Sequence, residues 1–222
     1  MKKNNTFYFC IGLILGLSEC WKQWCLTWQL NQGVYQWWYF PFQLCSIPMY
    51  LCLLLPLFKQ PKIRQIIFSF LSDFCLLSGI FAFFDTSGMH YDFFPLTVHS
   101  FTWHVLLIII GIAAGRSLEN TLQWTACAGS ILLYLICCSI ATLCNLLLQP
   151  IGNINLFYIS PLHPMNQVVF SDLAAFLGNS TGIFLYIAST IFGAILFHVF
   201  WRILRVAFPK YFPCTSQNFR LF

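Results

Sequence analysis

Charged residues are scarce in this chain. Only 8% of its 222 residues are Asp, Glu, Lys or Arg, whereas 59% are hydrophobic, and the mean hydropathy is +0.75. A soluble domain carries about a quarter charged residues, so the composition excludes an ordinary soluble globular domain. The few charges are clustered and leave several apolar windows of about 20 residues, the length that crosses about 30 Å of hydrocarbon. The sequence therefore predicts an all-α, polytopic membrane protein.

Motifs for cofactors are also missing. The sequence contains no Gly-rich phosphate loop or dinucleotide fingerprint. None of its eleven cysteines has the C-x-x-C or C-x-x-H spacing that suits zinc. We therefore expect no cofactor and no bound metal. Most cysteines fall within predicted spans, where a free thiol behaves as a small hydrophobe. Cys20 and Cys25 lie near one face of the membrane, and their spacing leaves a disulfide open.

Apolar windows predict a single domain, residues 1–210, followed by a short cytoplasmic tail at 211–222. The domain is a bundle of six transmembrane helices plus a re-entrant or interfacial segment at 149–181, which contains no Lys or Arg. A seventh full span is the alternative for that segment. The six spans lie at about 6–24, 40–58, 65–84, 98–115, 122–148 and 182–204.

Basic residues set the predicted orientation. Ten Lys and Arg residues fall in the connections of one side, and only Lys22 falls on the other. Positive residues stay on the cytoplasmic side of a membrane. Both termini are therefore predicted to be cytoplasmic, with the chain in the plasma membrane. This topology explains the net charge of +5 without a nucleic-acid partner. The oligomeric state stays open.

The stretch FPFQLCSIPMY, residues 40–50, places a thiol between two prolines at the start of a predicted span. A helix that enters near residue 40 with Pro41 in its first turn would put Cys45 about 8 Å below the outer face. The positive end of the helix dipole favours the nucleophilic thiolate there. Pro48 cannot donate to the carbonyl of Leu44, which predicts a kink beside the thiol. Cys45 is thus a candidate nucleophile, or else a small residue at a helix contact.

His104 is the best candidate for a base. It lies about 10 Å below the same face, and an ionisable group inside a span is a functional candidate. Cysteine and histidine at matched depth are the minimum for a thiol nucleophile with a general base. His99 lies about 140° around the helix and is expected at the interface. Five residues at helical spacing form a stripe that ends in a G-x-x-x-G contact surface: Ser100, His104, Ile108, Gly111 and Gly115.

Two further titratable residues fall inside predicted spans. Asp73 is about 16 Å deep, where it either orients His104 or is a buried neutral group bonded to a neighbouring helix. His198 lies beside Arg202 near the inner end of the last span and is expected at the interface. The sequence does not choose among four candidate donors to a reacting carbonyl oxygen: Gln43, Ser46, Asn145 and Asn166.

Several short motifs carry a family resemblance. They are, in order, Cys45 in PFQLCSI, His99 and His104 in VHSFTWH, NLFYISP at 155–161, LAAFLG at 173–178, and Tyr186. Their order and spacing resemble the YwaF-type integral membrane proteins of bacteria over most of the chain. That family is similar in turn to the eukaryotic transmembrane-protein-164 lipid acyltransferases, in which a cysteine nucleophile works with a histidine partner. The resemblance implies these roles for Cys45 and His104.

Together these residues predict acyl transfer or acyl hydrolysis on a membrane lipid near the outer leaflet. His104 would take the proton of Cys45, and the thiolate would hold the acyl chain as a thioester. A small-molecule transporter or channel is the alternative, because prolines within spans and the irregular segment 149–181 are typical of broken helices around a binding site. A thiol-redox protein is a third class, which needs Cys20 and Cys25 as a pair.

Overall fold

The structure is a computed structural model that describes residues 2–118 and 124–209. These residues form helices and turns without a β-strand, which confirms the all-α class. The predicted tail, 211–222, lies outside the described residues. The α-helices are α1 Lys2–Trp24, α2 Ile47–Leu54, α3 Pro61–Phe70, α4 Leu76–Phe81, α5 Phe94–Ser117, α6 Trp124–Leu147, α7 Phe170–Leu177 and α8 Asn179–Ala207.

Four helices in the described residues are long and apolar enough to cross a membrane. They are α5, α6, α8 and the continuous helix Pro61–Phe81, in which a π-helical turn, Leu71–Cys75, joins α3 to α4. These helices coincide with the third to sixth predicted spans. The structure supports the first two predicted spans less well. Helix α1 has the length but carries Glu19 and Lys22, and the second apolar helix reaches only from Ile47 to Leu57.

The predicted helix start at residue 40 is wrong. Residues 41–46 form bends and turns, and α2 begins at Ile47 with Pro48 in its first turn. A proline fits there because the first turn of a helix does not use its amide hydrogens. Pro48 therefore starts the helix and does not kink it, while Pro41 is not helical. As a consequence, Cys45 lies before the helix and not one turn inside it.

One end of the bundle carries most of the basic residues. The starts of α1 and α3 and the ends of α5 and α8 meet there, and we call this the basic end. Three hydrogen bonds join these helix ends: Arg64 to Asn5 Oδ1 at 2.7 Å, Tyr8 to Ser117 at 3.2 Å, and Arg205 to the Gly115 carbonyl at 2.7 Å.

The opposite end is rich in aromatic rings, and we call it the aromatic end. The end of α1 meets the start of α5 there, with the Trp21 and His99 rings 5.6 Å apart. Gln23 donates to the Tyr39 carbonyl at 2.7 Å, which ties α1 to the connection before α2. The two ends of the bundle thus differ in composition.

The predicted G-x-x-x-G surface on α5 is a close helix contact. A Cβ atom on Gly111 would lie 2.7 Å from Cβ of Leu76, and one on Gly115 would overlap the Trp201 ring. Such approaches require glycine. Helix α5 is therefore held against both the Pro61–Phe81 helix and α8, which confirms the predicted contact surface.

The irregular part of the predicted re-entrant region enters the bundle. We call residues 154–160 the inserted segment, since all but one of them are buried. The Asn145 amide pairs with both backbone groups of Leu156, at 2.7 and 3.1 Å, and Gln43 Oε1 accepts from the Phe157 amide at 2.6 Å. These side-chain amides replace the hydrogen bonds of a helix, which allows a non-helical backbone to pack inside. They also hold Phe157 at a φ of 57°, a conformation that non-glycine residues rarely adopt.

Candidate functional site

Cys45 lies at the aromatic end, in the turn before α2. Its thiol is free and partly buried, and the side chain packs against a core cluster that includes Trp103 and Leu107 of α5. The Cys45 carbonyl accepts a hydrogen bond from Trp103 Nε1 at 3.1 Å. This bond docks the turn that carries the predicted nucleophile onto α5, the helix that carries His104.

His104 has a defined tautomer. Its Nδ1 lies 2.8 Å from the Ser100 carbonyl, and because a carbonyl oxygen can only accept, Nδ1 carries the hydrogen. Nε2 then presents a lone pair, which is what a general base requires. The ring packs edge-on to Phe83 with 6.5 Å between centroids. This tautomer is compatible with the role that the sequence predicts.

The two predicted site residues lie on elements that contact each other, but no hydrogen bond joins their side chains. Within residues 2–118 and 124–209, no hydrogen bond joins the Cys45 thiol to the His104 ring. Trp103, about 100° around α5 from His104, is the side chain that reaches Cys45. The structure therefore joins the turn of Cys45 to the helix of His104 through Trp103, without a hydrogen bond between the thiol and the imidazole.

Sequence reasoning missed a polar group of four residues beside Cys45, which we call the Glu19 cluster: Glu19, Lys22, Gln23 and His99. Lys22 Nζ lies 2.8 Å from Glu19 Oε1, and Gln23 donates to the same oxygen at 2.7 Å. Glu19 is only 4% exposed, and its Oε2 is buried without a partner among the described residues. The helical spacing of three polar residues on a predicted span was the signal that could have found it.

His99 belongs to the side of α5 that faces Cys45. Its ring lies 5.6 Å from the Trp21 ring and 5.7 Å from the Trp103 ring. His99 was predicted to lie at the membrane interface, and the structure buries both of its ring nitrogens. Trp103 packs against the His99 ring and also binds the Cys45 carbonyl, so a second imidazole lies on the same side of α5 as Cys45.

Two of the four predicted oxyanion donors have another role. The amides of Gln43 and Asn145 are engaged by the backbone of the inserted segment, so they do not point to a substrate. Asn166 is exposed, whereas Ser46 is 4% exposed and adjoins Cys45. Of the four candidates, Ser46 is therefore the buried one next to Cys45 whose side chain the inserted segment does not bind.

Two tyrosines at the aromatic end are additional donors. Burial, with the charge of a thiolate at Cys45 as a smaller cause in the same direction, raises the pKa of Tyr158 to about 12. Burial likewise raises the pKa of Tyr91, whose ring lies 5.9 Å from the Tyr39 ring. Both phenols stay protonated at neutral pH and so keep an O–H group at the aromatic end.

A second polar site lies inside the bundle. Asp73, on the π-helical turn, is fully buried, and its Oδ2 accepts from His198 Nδ1 at 3.0 Å. The predicted bond between Asp73 and a neighbouring helix is confirmed. The expectation that His198 lies at the interface is wrong, because its side chain is fully buried. Helix α8 turns His198 toward Asp73, while Arg202, one turn later, is exposed and stacks on Trp124 at 5.1 Å.

The disulfide left open by the sequence is not formed. Cys20 and Cys25 both carry free thiols; the first is exposed and the second is buried. The thiol-redox interpretation therefore loses the pair on which it depended.

Comparison of the chain with protein-family models, with curated proteins and with solved structures finds no match in any of the three. A functional assignment therefore depends on the geometry of the two sites.

Proposed function

We propose that this chain is a membrane-embedded lipid acyltransferase or acyl hydrolase, with Cys45 as nucleophile and His104 as general base. One observation carries the proposal. The Trp103 hydrogen bond holds the thiol-bearing turn on the helix whose His104 presents Nε2 as an acceptor. A thiol and an imidazole so placed are the two groups that covalent acyl transfer needs.

The chemistry follows in two halves. His104 Nε2 takes the thiol proton of Cys45, and the sulfur attacks the carbonyl carbon of a lipid ester. The ester C–O bond breaks, the leaving oxygen takes the proton back from His104, and the acyl chain is held as a thioester. Water or an alcohol then attacks the thioester while His104 accepts its proton, and the thiol is restored. Ser46 and the phenols of Tyr91 and Tyr158 are the proposed donors to the oxyanion.

We place the chain in the plasma membrane with six spans, the inserted segment re-entrant and both termini cytoplasmic. Helix α1 supplies one further span, and the helix Ile47–Leu57 together with the non-helical residues 40–46 before it supplies the other. The close packing of the two helices supports this count. A Cβ on Gly12 would lie 2.8 Å from the Leu53 amide nitrogen. The basic end then faces the cytoplasm. Cys45 lies at the outer leaflet, where membrane lipids are the substrate.

The experiment is a lipid assay with the full chain in liposomes of ester phospholipids. Mass spectrometry of the lipids should show transferred or released acyl chains with the wild type and none with Cys45→Ala. Cys144→Ala is the matched control, since Cys144 is also a free and partly buried thiol. Full turnover by a folded Cys45→Ala protein contradicts the proposal.

A proton-coupled transporter is the second candidate. The observation in its favour is the buried Asp73–His198 pair, because a titratable pair within membrane spans is typical of proton relays. Proton flux into liposomes under an imposed pH gradient distinguishes the two functions. Transport predicts a flux that Asp73→Asn abolishes and Cys45→Ala leaves intact.

A further inference from the structure

Three metal-ligating side chains meet inside the bundle, away from Cys45. One ligand atom each of Asp73, Cys127 and His198 lies within 4.8 Å of the other two, and all three residues are buried. They come from the π-helical turn, from α6 and from α8, so only the packing of three helices assembles the group. A buried carboxylate and imidazole at one point are costly unless they are paired or bind an ion, and a thiol beside them adds a third ligand.

The carboxylate is held in place by its neighbours. The Ser69 hydroxyl donates to Asp73 Oδ2 and the Ser72 hydroxyl to Oδ1, each at 2.8 Å. On α6, the Ser130 hydroxyl donates to the Cys127 carbonyl at 2.8 Å and lies 3.4 Å from the Ser69 hydroxyl. Hydrogen bonds of this kind orient metal ligands in proteins. The π-helical turn that contains Asp73 also supports a functional role for this group, since such turns are frequent at functional sites.

The His198 atom that faces the other two ligands is Nδ1. It lies 3.0 Å from Asp73 Oδ2, which is close to the spacing of neighbouring ligand atoms around a metal ion. Loss of the Nδ1 hydrogen on metal binding would leave this nitrogen and the carboxylate oxygen as two ligands of one ion. Nε2, on the far side of the ring, is buried and has no hydrogen-bond partner among the described residues, so no neighbour fixes the hydrogen on Nδ1.

From this geometry we propose that Asp73, Cys127 and His198 form a binding site for a divalent ion of the zinc type. Mixed oxygen, nitrogen and sulfur donors suit Zn²⁺ or Co²⁺ and not Mg²⁺ or Ca²⁺, which prefer oxygen alone. Ligand atoms around a tetrahedral zinc lie about 3.4 to 3.6 Å apart. Asp73 and His198 are already that close, with 3.0 Å between Oδ2 and Nδ1, so Cys127 Sγ, which lies within 4.8 Å of the other two ligand atoms, needs to approach them by at most about 1 Å. Three protein ligands leave the fourth position open.

The ion has a short route to this site from the basic end. The Trp124 ring lies 5.5 Å from the His198 ring and is 53% exposed. The Arg202 guanidinium covers the Trp124 ring at 5.1 Å. The Trp124 ring thus lies between the His198 ring and the surface. The site is distinct from Cys45 and does not depend on acyl chemistry.

The test is a Co²⁺ titration of the purified full chain in detergent, because a thiolate bound to Co²⁺ gives a near-ultraviolet charge-transfer band. The wild type should show this band with one equivalent of Co²⁺, and Zn²⁺ should abolish it by displacement. Cys127→Ala should lose the band. Cys137→Ala is the control, since Cys137 is another buried, free thiol on α6. A folded wild type without the band, or a band that survives Cys127→Ala, overturns the site.

A second measurement needs no variant. Zn²⁺ should protect Cys127 from a membrane-permeant alkylating reagent, as read from peptide masses, because a metal-bound thiolate is shielded from modification. Cys137 and Cys138, both buried on the same helix, are internal controls and should be alkylated at an unchanged rate. Equal alkylation of Cys127 with and without Zn²⁺ contradicts the proposal and leaves Asp73 and His198 as a proton-binding pair.

Discussion

Trp103 Nε1 donates a hydrogen bond to the Cys45 carbonyl at 3.1 Å. The bond crosses 58 residues of sequence and joins a non-helical turn to the middle of a long helix. Within that turn the Gln43 side chain binds the inserted segment, accepting from the Phe157 amide at 2.6 Å, whereas Trp103 is the side chain that binds the turn to α5. The position of the Cys45 thiol relative to α5 therefore depends on Trp103.

Trp103→Phe should separate positioning from folding. Phenylalanine keeps most of the buried ring but removes the N–H donor, which costs about 1 kcal/mol of stability. We expect the melting temperature in detergent to change little and the acyl turnover to fall severalfold, since the thiol loses its anchor. The control is Trp28→Phe, at a ring that is 63% exposed. Unchanged turnover of Trp103→Phe would show that the bond does not position the thiol.

His104→Gln tests the base. Glutamine can still hydrogen-bond to Ser100 but cannot take a proton, so turnover should disappear. Combined with Cys45→Ala it should be no worse than either single change, because groups that act as a unit are not additive. The same assay on His99→Gln provides the comparison. Loss of turnover in His99→Gln with full turnover in His104→Gln would transfer the role of base to His99.

Asn145→Ala should loosen the inserted segment. The change leaves the amide and the carbonyl of Leu156 buried without their partner, at about 1 to 3 kcal/mol for each group. We expect a clearly lower thermal midpoint in detergent micelles, followed by circular dichroism. Asn153→Ala, at an exposed position shortly before the segment, should leave the midpoint unchanged. Equal midpoints for both variants would mean that Asn145 does not hold the segment in place.

Surface labelling tests the orientation. A cysteine introduced at Asp92 should react with a membrane-impermeant thiol reagent in intact cells, while one introduced at Lys62 should not. Both positions are exposed in the structure, so reactivity reports the side of the membrane. Peptide masses distinguish these sites from the natural cysteines. Labelling at Lys62 and protection at Asp92 would invert the proposed topology.

Local sequence was sufficient for the long helices. Helices α5, α6 and α8 follow from uninterrupted apolar runs whose length alone identifies them. The start of α2 could also have been predicted, because proline prefers the first turn of a helix and Pro48 marks that turn. The prediction placed the helix too early because it gave this role to Pro41.

Contacts between segments that are distant in sequence could not be predicted from the sequence. Asp73 and His198 are 125 residues apart, and their meeting depends on how α8 rotates against the Pro61–Phe81 helix. A side-chain amide such as Gln43 looks the same in sequence whether it binds a substrate or a buried backbone. Glu19 and His99 likewise meet only after α1 packs on α5, so the polar groups around Cys45 needed the structure.

The most direct measurement of the central claim is intact-protein mass spectrometry after the full chain has been incubated with liposomes of ester phospholipids. A Cys45 nucleophile predicts a mass increase of one acyl chain, mapped to Cys45 by peptide analysis and released by hydroxylamine, which cleaves thioesters. The adduct should be absent from Cys45→Ala and present in Cys144→Ala. Lipid turnover without an adduct at Cys45, or an equal adduct on Cys45→Ala, would contradict the account.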